Sequence, residues 1–140
     1  LIEDTPGVAA LQAGQFAQGI SETLNSSAEV DNFSRQMSLC VGFTKTAQLD
    51  NAADACNKAV TAAQQLHSVS SNDKREMRAY ALTNRGVLHL LQNNNLAALA
   101  DFNRATELSR SDVSLHNLQR LELALNKANN GLEVAMVSAD

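Results

Sequence analysis

Covalent or metal chemistry in this 140-residue chain would have to start from two cysteines, three histidines and the carboxylates around them. His67, His89 and His116 are dispersed, and none belongs to a His-Glu-x-x-His pair that would aim two rings at one zinc ion. Cys40 and Cys56 have no further Cys or His at ligand spacing and no flanking group that would activate a thiolate. Asp50 and Asp54 stand one helical turn apart, the pattern of a solvated helix face rather than of a general acid and base. Gly86 is alone and forms no loop that could cradle a phosphate. An enzyme is not expected, nor a cofactor, nor a metal.

The reaction left to the cysteines is with each other. Residue 48 is their midpoint, and Gln48-Leu49-Asp50 reads as a tight turn between two helices, with Asp50 a candidate helix cap. In an antiparallel helix pair, residues equidistant from the turn lie side by side. The spacing therefore predicts a Cys40–Cys56 disulfide, which needs Cα atoms within about 7 Å. The alternative is two buried thiols acting as small hydrophobes. A bridge favours a periplasmic or secreted location, with a leader removed, over a cytoplasmic one; the start at Leu1 fits a removed leader or a shortened chain equally.

The elements that must position these residues follow from composition. There are 22 Ala and 19 Leu against 6 Gly and one Pro, and aromatics make up only 4%. A β-sandwich needs frequent turn residues and β-branched strands, and a doubly wound sheet needs Gly-rich strand-to-helix turns. An all-α fold remains. With 11 Lys+Arg against 15 Asp+Glu the net charge is −4. The densest basic cluster, Lys74, Arg75 and Arg78, is interrupted by Asp73 and Glu76, so a nucleic-acid partner is not expected. No apolar run approaches the roughly 18 residues of a membrane span.

Periodicity places the helices. Thr5-Pro6 predicts a helix opening, and Gly14 a break between two short helices that end near Asn25. A helix is predicted from about Asp31 to Thr46, and another from Asp50 to roughly His67, with Ala52, Ala55, Cys56, Ala59, Val60 and Ala63 on one face. A polar break over 68–72 precedes a capping box at Asp73-x-x-Glu76 and a helix to about Gln92. Asn93-Asn94-Asn95 predicts a turn, because Asn tolerates the left-handed backbone. Helices from Leu96 to Leu108 and from the Ser111-Asp112 cap complete the chain.

Two stretches repeat. Ala52, Cys56 and Ala59 match Ala98, Phe102 and Ala105 in spacing, and a small residue stands twelve positions before the first Ala in each, Cys40 and Gly86. This pattern resembles the tetratricopeptide repeat, a helix–turn–helix unit of about 34 residues. Leu82, Gly86, Ala98, Phe102 and Ala105 match that family's apolar, small, small, aromatic and small slots. Arg85, His89 and Arg110 depart from its usual Leu, Tyr and Pro, and Cys56 stands where an aromatic is usual. The resemblance implies a stack of antiparallel helix pairs, a short α-solenoid with about two full repeats. One domain over 1–128 is expected: repeats near 33–66 and 79–112, a degenerate half-repeat over 6–28 and a capping helix over 112–127. A flexible tail over 129–140 follows. The offset between copies is 46 residues, and the excess over the family period is assigned to longer facing helices and the 68–72 loop.

Relatives of this type bind peptides along the face lined by the first helix of each repeat. On this chain the resemblance places that groove at Met37, Val41, Lys45, Tyr80, Thr83, Asn84, Val87, Leu90 and Leu91. Met37 and Val41 stand where a carboxylate-clamping Lys and Asn would be, and only Asn84 matches, so a carboxylate clamp is not expected. The groove is apolar to neutral and suits an extended or helical hydrophobic segment. The expected function is a non-catalytic protein- or peptide-binding scaffold. The alternative is a self-assembling protein whose apolar helix face forms a homodimer interface.

Overall fold

Alanine-rich stripes at helical spacing, separated by short polar turns, commit most of the chain to helix. In a computed structural model, which describes residues 5–27, 29–67 and 69–137 with side chains through 128, these form seven helices. They are α1 (Val8–Gln12), α2 (Phe16–Asn25), α3 (Asn32–Lys45), α4 (Leu49–Gln64), α5 (Ser71–Leu91), α6 (Asn95–Leu108) and α7 (Asp112–Val137). The expected loose tail over 129–140 falls on residues whose side chains, and from 138 whose backbone, lie outside the described set.

The same joint ends α1, α3 and α5. Gly14, Ala47 and Asn93 each take the left-handed conformation, at φ of 77, 56 and 58°. In each case the next N–H reaches back to a carbonyl of the preceding helix: Gln15 to Ala10 at 2.8 Å, Gln48 to Phe43 at 2.9 Å, Asn94 to His89 at 2.8 Å. The left-handed residue itself donates to Leu11, Thr44 or Leu90, which completes a double-bonded C-terminal cap. The following helix then starts at once. Three helix pairs, α1–α2, α3–α4 and α5–α6, are thus closed by one piece of local chemistry.

That joint corrects one expected cap and explains it. α4 opens at Gln48 rather than Asp50, because the reversal is made by the backbone of Ala47 and not by a side-chain acceptor. Two other caps are also displaced. α1 opens at Gly7, not at Thr5, which is buried. α5 opens at Ser70, whose Oγ accepts the Asp73 N–H at 3.1 Å and donates to the Asp73 carboxylate at 2.7 Å. The polar break expected over 68–72 is correspondingly shorter. Asp31, Asn94 and Ser111 do cap their helices by accepting N–H bonds from Ser34, Ala97 and Ser114.

Ala47 is the costly residue of the three joints, since its Cβ crowds the left-handed backbone. Ala47→Gly should therefore stabilise the fold by about 1 kcal/mol, read as a higher urea midpoint at unchanged slope. A lower midpoint would contradict the shared-joint geometry.

Helices pack in chain order, each against the next. In addition α3 touches α1 and α5, and α5 touches α7, whereas among the described residues no Cα atom of α2, α4 or α6 comes within 8 Å of one in another of these three. The odd-numbered helices thus form a continuous inner layer and the even-numbered ones a spread outer layer. Alanine allows this closeness: Ala52, Ala59, Ala98 and Ala105 are all fully buried at 0% exposure. Gly86 is needed at the α5–α6 crossing, where a Cβ would sit 2.5 Å from Cε1 of the buried Phe102 ring. At the α3–α4 crossing the matching positions, Cys40 and Cys56, form a disulfide with Cα atoms 4.7 Å apart. The 46-residue offset is accommodated by α4 and α5, which run 16 and 21 residues against 14 each for α3 and α6.

Candidate functional site

The inner layer carries two cavities that share Val87. One, of about 210 Å³, lies between α3 and α5 and is lined by Cys40, Val41, Thr44, Lys45, Asn84 and Val87. The other, of about 450 Å³, lies between α5 and α7, with Val87 and Leu90 on one wall and Arg120, Leu121, Ala124 and Leu125 on the other. Together they make an apolar trough with one cation in the wall of each cavity. Lys45 and Arg120 are both exposed, and neither has an ion pair to a described residue.

Of the nine groove residues expected from the sequence, Val41, Lys45, Asn84, Val87 and Leu90 line these cavities. Met37 is buried in the core with Phe33, Ala59 and Ala63, and offers no surface. Thr83 is buried too. Its hydroxyl bonds to the Ala79 carbonyl and, at 2.8 Å, to the Ser114 hydroxyl, which ties α5 to α7. Tyr80 and Leu91 are exposed on α5 at 48% and 52%, outside both cavities. The α7 wall, from Asn117 to Ala128, was not expected. Its signal was the Leu118, Leu121, Leu125 spacing, which marks an apolar stripe on the last helix.

A second polar feature was read in the sequence only as two departures from a pattern. Arg85 grips Asp101 of α6 with two hydrogen bonds of 2.8 Å each and reaches Asn57 of α4 at 3.1 Å. His89 sits one turn further along, its Nε2 3.6 Å from the same carboxylate and its Nδ1 buried without a partner among the described residues. The hydrogen bonds that Arg85 donates to Asp101, opposed by burial and helped by the carboxylate charge, hold the guanidinium above its ordinary range. Arg85 is thus a permanent cation inside the α4–α5–α6 contact. The signal that could have found the pair is symmetry, which charge density along the chain does not register: residues 85 and 101 are equidistant from the turn at Asn93, as the cysteines are from 48.

Among the described residues there is no cluster of His, Cys, Asp or Glu able to hold a metal, and no helix long and apolar enough to cross a membrane. Comparisons with protein-family models, curated proteins and solved structures return no match.

Proposed function

We propose that this protein is a non-catalytic scaffold of tetratricopeptide type that holds an apolar segment of a partner protein in the inner-layer trough. The observation that carries this reading is the serial contact of α1, α3, α5 and α7 with the trough on their side, while the backbones of α2, α4 and α6 do not approach one another. Three identical joints and the equivalence of Cys40–Cys56 with Gly86–Phe102 support the repeat reading. Apolar walls with Lys45 in one cavity and Arg120 in the other suit a hydrophobic segment that also carries acidic residues. The disulfide supports an oxidising location, periplasmic or secreted.

Selection from a random displayed-peptide library should enrich such segments. Val87→Asp and the exposed-site variant Lys45→Glu should each weaken the selected peptide by about tenfold, measured by fluorescence anisotropy. Because Lys45 holds no core contact, its variant separates loss of binding from loss of fold. Unchanged affinity in both variants would remove the trough from consideration. The competing reading, a homodimer through the same inner face, is excluded by a solution mass that stays monomeric as concentration rises.

A further inference from the structure

The opposite flank of α5 carries a different chemistry. Arg78 and Arg85 are seven residues apart and so project within about 20° of each other, while Val87 lies about two and a half turns from Arg78 on the reverse side. A cavity of about 180 Å³ opens there between α4, α5 and α6, lined by Val60, Gln64, Arg78, Leu82, Arg85 and Arg104. Three guanidiniums from two helices therefore share one small cavity in a chain whose net charge is −4.

Their engagements differ. Arg85 is fixed by Asp101, which positions it and neutralises it. Among the described residues Arg104 pairs with Glu107 alone, an i,i+3 pair at 3.0 Å with both side chains more than half exposed, and pairs of that kind are worth little. Arg78 is half-buried and has no hydrogen bond or ion pair to any described residue. Gln64 adds an amide donor from α4. Counting Glu107 and Asp101 against the three arginines leaves one uncompensated cation facing the cavity, beside a second that is easily redirected.

We infer that this cavity is a binding site for a phosphate group, held by Arg78 and Arg104 against the fixed Arg85. Planar guanidiniums match tetrahedral oxyanions through paired N–H donors, which a lysine cannot supply. The cavity is smaller than the roughly 300 Å³ at which pockets begin to enclose drug-sized ligands, so it takes a single anionic group rather than a nucleotide. Val60 and Leu82 give its wall an apolar side against which the alkyl arm of a phosphomonoester can rest. Since it lies away from the trough, the site stands or falls independently of the scaffold reading.

The test is a titration of the oxidised protein at low ionic strength, followed through the arginine Nε–H resonances. Inorganic phosphate is the first probe and O-phosphoserine the second. Saturable shifts at Arg78 and Arg104 are expected with an affinity of about 1 mM. Arg78→Gln and Arg104→Gln should each weaken binding about tenfold, the loss of one charge-assisted contact. Lys58→Gln, on the exposed surface of α4 outside the cavity, should leave it unchanged. Tighter binding of O-phosphoserine assigns the site to a monoester, and equal binding assigns it to the free ion. Arg104 is largely exposed, so its variant keeps the test valid if Arg78→Gln alters the fold. Failure of both probes to saturate, or retention of wild-type affinity in both arginine variants, would overturn the assignment.

Discussion

Replacing Asp101 by Ala should destabilise the protein by about 3–4 kcal/mol, while adding Arg85→Leu should recover most of that loss. The expectation rests on an asymmetry. The Asp101 side chain is 9% exposed and that of Arg85 24%, so both charges have left most of their water. Their two short hydrogen bonds return much of that desolvation cost. Truncating Asp101 leaves a permanent cation half-buried against Asn57 and His89 with no counter-charge. Removing both groups leaves an apolar contact beside Leu82 and Val60, and a buried pair exchanged for apolar side chains is often neutral. Urea unfolding of the wild type, both single variants and the double variant measures the coupling. If the double variant is as unstable as Asp101→Ala, the guanidinium is not the source of the penalty. His89 would then be the group to test, since it shares the carboxylate and has no second partner among the described residues.

The helical hairpins were legible because their determinants are local. Asn93 tolerates the left-handed backbone, Asp31 and Ser111 are strong cap acceptors, and buried alanines recur at helical spacing. Caps were misplaced where the backbone outcompeted a side chain. Asp50 is a good acceptor by type, but the bond from the Gln48 N–H to Phe43 closes the turn two residues earlier. The trough was legible in part for a related reason. The repeat resemblance placed Val41, Asn84, Val87 and Leu90 on the groove side, but a repeat pattern does not reveal how deeply a neighbouring helix covers a residue. Met37 and Thr83 share that pattern and are buried by α4 and α7. The Arg85–Asp101 pair and the arginine cavity were hidden because each joins different helices, and linear charge density registers only neighbours in sequence. Arg78 looked balanced beside Glu76, yet two residues along a helix is about 200° of rotation, so the two face apart.

Cys40→Ala/Cys56→Ala should lose about 3 kcal/mol, which is the chain entropy released when a loop of this length is opened. The melting temperature should fall by roughly 10 °C for a chain of this size. Both cysteines are almost completely buried, at 1% and 0%, among Ile20, Leu39, Ala52, Ala55 and Leu88. Thiol reductants should therefore act on the folded protein only as fast as it opens. The more discriminating variant is Cys40→Gly/Cys56→Phe, which installs in α3–α4 the residues that meet in α5–α6. Residues 40 and 86, and 56 and 102, differ by the same 46 positions, and Cys40 meets Cys56 across its hairpin as Gly86 meets Phe102 across the other. If the two hairpins are copies of one packing solution, Phe at 56 should seat against Gly at 40. It should then restore at least about half of the stability lost in the alanine variant, through burial of the ring. The core of α3–α4 also receives Ile20 from α2, close to the Cα of Gly42, so a ring at 56 has to share space with that side chain. A swap less stable than the alanine variant would show that the first hairpin has diverged to fit a disulfide. Its likeness to the second would then be confined to the backbone joint at Ala47.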